Sequence, residues 1–169
     1  MLTKSRFSWF LFAFILALSA GLVFASTARA DQPPKNEYTY TESNVITEVC
    51  TFPVDVVSTI TAVEKDFFDA NGALTRIGFH YITQDVYTAN GKTIQGLPYT
   101  TNMQILFDEN GEITHVYANG VIARIPLPDG SRFFSAGRLD FLTHLGRYVL
   151  SPDKGNPGNI AGFCEALTP

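Results

Sequence analysis

Five dipeptides punctuate the middle of the sequence: Asn71-Gly72, Asn90-Gly91, Asn110-Gly111, Asn119-Gly120 and Asp129-Gly130. Each supplies positive φ at little steric cost, as a type I′ hairpin turn requires. Four of them recur at intervals of 19, 20 and 19 residues, room for strands that run out and back. The stretches between them predict strands over Ala73–Thr88, bent at Gly78, and over Tyr99–Phe107, Glu112–Ala118, Val121–Ile125, Arg132–Phe141 and Arg147–Leu150. Upstream, Glu37–Thr41 alternates Tyr with Thr, and Val54–Val63 is rich in the β-branched residues that fit a pleated surface. Leu139, Leu142 and Leu145 fall three apart and would also suit a short helix, but Gly137 and Gly146 leave it few residues, so strand is the reading adopted. A single short helix is expected at Asn159–Leu167, entered from a Gly- and Pro-rich loop over Pro152–Gly158.

The fold class is therefore all-β: an antiparallel meander of about eight strands with a short C-terminal helix. Closing such a meander into a barrel removes its two edges, whereas the alternative, a β-sandwich, only limits them and needs long cross-overs.

Residues 1–30 carry the marks of a secretory leader. Lys4 and Arg6 precede an apolar run from Phe7 to Phe24, and the small residues Ala28 and Ala30 offer a cleavage site before Asp31. Cleavage after Ala30 is expected; retention as an anchor is the alternative, since a run of this length could cross a bilayer. The polar segment 31–36 then reads as a flexible stalk and 37–169 as one domain. Nine of the twelve basic residues remain in the mature part against all sixteen acidic ones, a net charge of −7. That balance argues against nucleic acid and anionic membrane as partners, and no stable membrane insertion is expected once the leader is removed. An extracytoplasmic location makes pairing the default for the two cysteines, Cys50 and Cys164; two separate buried thiols are the competing reading.

If the meander encloses an interior, its lining follows from strand alternation. One strand contributes Ile77, Phe79, Tyr81 and Tyr87, a second Met103, Ile105 and Phe107, a third Ile113, His115 and Tyr117. Such an apolar and aromatic lining with a few polar handles suits a small-molecule site, and it equally suits a solid core. His80, His115 and His144 lack metal-ligand spacing, so neither a metal nor another cofactor is expected. Asp108-Glu109-Asn110-Gly111-Glu112 places its glycine too early for a calcium loop and reads as a turn. The sequence has no G-x-S-x-G elbow and no phosphate-binding glycine loop.

Through Cys50-Thr51-Phe52-Pro53-Val54 and the closing Phe163-Cys164-Glu165-Ala166-Leu167, the chain resembles a set of uncharacterised bacterial exported β-domain proteins. These share a C-x-F-P-V start and a cysteine close to the C-terminus. The resemblance implies a secreted β-domain closed by Cys50 and Cys164 and carries no catalytic residue with it. In shape alone the expected barrel is similar to lipocalin-like and allene-oxide-cyclase-like barrels. Three functions are consistent with this reading. The first is a secreted protein binding a small apolar or aromatic molecule. The second is an isomerase or cyclase using Tyr81, His115 or Tyr117 as acid, base or oxyanion donor. The third is a structural or surface-interaction protein with a filled core.

Overall fold

In the computed structural model, which describes residues 35–144 and 147–169, eight strands are paired antiparallel, and four of the five turn pairs fall between successive strands. They are β1 (Lys35–Ile46), β2 (Val54–Phe68), β3 (Leu74–Ala89), β4 (Lys92–Gln95), β5 (Tyr99–Phe107), β6 (Ile113–Pro126), β7 (Arg132–Asp140) and β8 (Lys154–Asn156). One helix, α1 (Ile160–Leu167), ends the chain. The expected leader lies outside the described residues, and β1 begins at Lys35, inside the segment expected to be a stalk. Among the described residues no helix is long and apolar enough to cross a membrane.

The turns use two chemistries. Only Asn90-Gly91 has successive positive φ values, 52° and 74°, the type I′ geometry that joins β3 to β4 directly. At Asp69–Ala73, Asp108–Glu112 and Leu127–Ser131 the glycine alone is left-handed. In each, the first residue donates to the carbonyl four residues on and accepts from the glycine N–H. These are three-residue loops, a type I turn followed by a left-handed glycine. Asp69 and Asp108 also turn a carboxylate back onto two backbone N–H groups of their own loop, at 2.8 to 2.9 Å. Those bonds hold both carboxyls below the usual carboxylate range. The Asp108 loop thus spends its carboxylate on its own backbone.

Asn119-Gly120 is not a turn. β6 runs straight through it, so the two strands expected over Glu112–Ala118 and Val121–Ile125 are one. The glycine serves a close approach instead: a Cβ at Gly120 would lie 2.8 Å from the Thr100 carbonyl oxygen, and Gly120 faces Gly137 across the ladder. A register shift follows between Val121 and Ala123. It marks the place where β6 stops pairing with β5 and continues with β7 alone.

Two further expectations are corrected near the C-terminus. Arg147–Leu150 is irregular rather than a strand, and the last strand, β8, falls at Lys154–Asn156 inside the stretch expected to be a loop. β7 ends at Asp140, whose side chain accepts from Leu142 N and caps a single 3-10 turn over Phe141–Thr143. The helical spacing of the leucines was the better guide there. Leu150 turns inward to the core and Tyr148 donates to the buried Asp85, so this segment is held by its side chains and not by a ladder.

The sheet runs in the order β1-β2-β3-β5-β6-β7-β8, with β4 added to the free half of β3. No ladder joins β1 to β8, so the first and last strands of the path do not meet by hydrogen bonds. The free β1 carries Lys35, Glu37 and Glu42, charges that discourage pairing with another chain.

The core fills one end of the inner face. Val54 and Val56 of β2, Tyr87 and Ala89 of β3, Ile94 of β4, Ala123 and Ile125 of β6 and Phe133 of β7 pack around α1. The helix starts at Asn159, whose side chain accepts from Gly162 N at 3.0 Å. It buries Phe163 and Leu167, one turn apart. Phe163 meets Tyr87 edge-on with ring centroids 5.3 Å apart and Phe133 at 5.6 Å. Cys164 is disulfide-bonded to Cys50 in the β1–β2 connection, as expected, and Asn90 donates to the Leu167 carbonyl at 2.9 Å.

Candidate functional site

Strand alternation carries one face of β2 and β3 from core to cavity. Along β2 the inward residues are Val54, Val56, Ser58 and Ile60; along β3 they are Ala89, Tyr87, Asp85, Thr83 and Tyr81. Apolar side chains cover α1, then a polar pair appears, then the same face opens into a cavity of about 450 Å³. The first strand of the sheet path and the last but one both line it, through Tyr40 of β1 and Leu139 of β7, so the sheet curls around it. The segment after β7 contributes Phe141, His144 and Tyr148.

The polar pair is the centre of a buried network. Asp85 is 1% exposed and accepts four hydroxyls: Ser58 at 2.6 Å on Oδ1, and Tyr87, Tyr99 and Tyr148 at 2.9, 2.9 and 3.1 Å on Oδ2. Tyr148 and Tyr87 hydroxyls are also 3.2 Å apart. A buried carboxylate is tolerated only when hydrogen bonds replace its water, and four do so here. The donors come from β2, β3, the start of β5 and the irregular segment after β7, so one side chain ties together parts of the chain 90 residues apart. Ser58, Tyr99 and Tyr148 face the cavity and form its floor, with Asp85 directly behind them.

Burial first, and then the neighbouring tyrosine oxygens and the Asp85 charge, raise the hydroxyls of Tyr87, Tyr99 and Tyr148 well above the ordinary phenol range. Burial likewise raises Tyr81. An unfolded tyrosine releases its proton near about pH 10, so the folded state holds these protons more tightly. The stability they contribute is fully present below about pH 10 and is lost as the pH climbs toward the folded-state values. Three of the seven tyrosines, those on Asp85, are expected to ionise only in a cooperative step that coincides with loss of β circular dichroism. Phenolate absorbance followed against pH checks this; seven independent titrations with the sheet intact would contradict it.

Of the residues expected to line a ligand site, Tyr81 and Met103 border this cavity. Phe79 shares their face and stacks on Tyr81 with centroids 5.5 Å apart, but it sits beyond the lining, as do Ile105 and Phe107. Tyr87 lies beneath the floor, fully buried. The β6 expectations are corrected. Ala118 is the inward residue there, which puts His115 and Tyr117 on the outer face, and Ile113 is 53% exposed at the start of the strand. Tyr117 donates to Gln104 at 3.0 Å under the Arg138 guanidinium, a surface arrangement. His115 is exposed, and the acid or base role considered for it and Tyr117 loses its geometry. His80 bonds Asn102 on the outside. His144, the one histidine at the cavity, holds Asp153 at 2.7 Å. No group of three potential metal ligands occurs among the described residues.

No protein-family model matches the sequence, and no curated protein or solved structure matches it.

Proposed function

We propose that this is an exported binding protein that holds a small molecule with an apolar or aromatic body in the cavity above Asp85. In this reading the curled sheet and the segment after β7 together act as the wall of a barrel-like container, although no ladder closes it. Export after removal of the leader at Ala30 accords with the Cys50–Cys164 disulfide. The observation that carries the proposal is the cavity itself. Its volume falls in the range of small-molecule sites, its walls include Tyr40, Ile60, Tyr81, Met103 and Phe141, and the Asp85-bound hydroxyls of Ser58, Tyr99 and Tyr148 form its floor. Apolar wall and polar floor together would fix both the position and the orientation of a ligand.

A proton-transfer enzyme is the second reading, and Asp85 is what favours it: a buried carboxylate one hydroxyl away from the cavity is a candidate base. Binding is preferred because the hydroxyl protons at the floor are already committed to Asp85. They are not free to stabilise a developing oxyanion.

Ala118 tests the proposal. It is 1% exposed and its methyl group faces the cavity, so Ala118→Phe places a ring where the ligand would sit. Because the ring enters existing space, a midpoint change of only a few degrees is expected, together with loss of saturable binding of a solvatochromic hydrophobic dye. Undiminished dye binding by the folded variant would overturn the proposal.

A further inference from the structure

We propose that the ligand is an organic cation, a protonated amine on an apolar or aromatic body; this rests on the binding reading above and narrows it. The proton count at the floor leads there. Ser58, Tyr87, Tyr99 and Tyr148 have one hydroxyl proton each, and each is directed at Asp85 or, for the Tyr87–Tyr148 pair, kept between those two. Of these, Ser58, Tyr99 and Tyr148 border the cavity, so what they turn toward it is oxygen lone pairs. Behind them lies a carboxylate with no cationic partner among its hydrogen bonds. The floor accepts and does not donate, and an ammonium N–H is its complement.

The charges around the cavity have the same sign preference. Glu42 is on its wall. The two basic side chains at its rim are turned to partners of their own: Arg147 Nη1 lies 3.2 Å from Glu48 and His144 Nε2 lies 2.7 Å from Asp153. Thr83 and Asn44 carry neutral groups that serve either sign. The rings of Tyr40, Tyr81, Phe141 and Tyr148 add π faces, which attract a cation and repel an anion. A carboxylate ligand would meet Asp85 and Glu42, while the basic groups at the rim among the described residues are already paired with Glu48 and Asp153.

The experiment uses the full chain, expressed with its own leader and purified with its disulfide intact. Three probes with the same ring are titrated calorimetrically: phenethylammonium, 2-phenylethanol and phenylacetate. Phenethylammonium is expected to bind at least about tenfold more tightly than either of the others. Glu42→Gln is expected to weaken the amine severalfold and leave 2-phenylethanol unchanged; Asp85→Asn is expected to abolish the preference. Should Asp85→Asn fail to fold, Glu42→Gln, on an exposed strand, carries the test alone. Phenylacetate or 2-phenylethanol binding as tightly as the amine overturns the cation assignment and leaves the cavity reading standing. No binding of the three probes, with the dye still bound, does the same. Loss of probes and dye together overturns both.

Discussion

Cys50→Ala is expected to lower the stability of the folded domain by about 4 to 5 kcal/mol and its thermal midpoint by roughly 15 °C. The magnitude follows from the loop. Cys50 and Cys164 are 114 residues apart in sequence, and a cross-link over that distance removes a large set of conformations from the unfolded chain, which is where most of its effect arises in the chain-entropy account. The native contacts it joins are otherwise modest. α1 has eight residues, too few to be stable alone, and is held by Phe163 and Leu167, by the Asn90 bond to the Leu167 carbonyl, and by Lys92 on the Thr168 carbonyl. The sheet should therefore still form in the variant while the helix docks less firmly. Since Phe163 supports Tyr87 from below, a looser helix also loosens the floor, so dye affinity should drop along with the midpoint. Thermal unfolding of the oxidised protein, the reduced protein and the variant checks this. Equal midpoints for all three would show that the bridge contributes nothing to the fold.

The strands were readable in the sequence because the turns announce themselves. An Asn-Gly or Asp-Gly pair is a strong local signal, and it located the β2–β3, β3–β4, β5–β6 and β6–β7 connections. It failed at Asn119-Gly120 for a physical reason: glycine answers two different demands, a left-handed turn and a close passage of another backbone, and residue identity does not separate them. That one misreading split β6. With the strand divided, nothing fixed the facing of its first half, and His115 and Tyr117 were assigned inward. The C-terminal region was misread for the opposite reason. Arg147–Leu150 has strand-like residues but no neighbour to pair with, and tertiary packing of Tyr148 and Leu150 decides its course. The floor of the cavity was missed although β3 advertised it. Asp85 stands between Tyr81 and Tyr87 at the same parity, so any alternation that turns the tyrosines inward turns the carboxylate inward as well. A charged residue at a core-facing position was the signal. Ser58, Tyr99 and Tyr148 were not predictable as its partners, because they converge only when the sheet curls.

Asp85→Ala is expected to be the most damaging single substitution within the sheet, at about 3 kcal/mol or more. The loss is not that of one side chain's packing. Removing the carboxylate leaves the hydroxyls of Ser58, Tyr87, Tyr99 and Tyr148 without their acceptor, and Ser58 and Tyr87 are fully buried. Because the cost is incurred by the orphaned partners, it should shrink when a partner is removed as well. Tyr99→Phe alone deletes one of four bonds and leaves Asp85 three; its expected cost is about 1 to 2 kcal/mol. In the Asp85→Ala background the same change deletes a hydroxyl that no longer has an acceptor, and it should be nearly neutral or mildly stabilising. The double-mutant cycle is therefore expected to give a coupling of about 1 kcal/mol or more, measured by denaturant unfolding of the four proteins. Additive costs would mean that Asp85 and Tyr99 act independently, and the floor would then be a set of separate contacts and no longer a network that aims its protons inward.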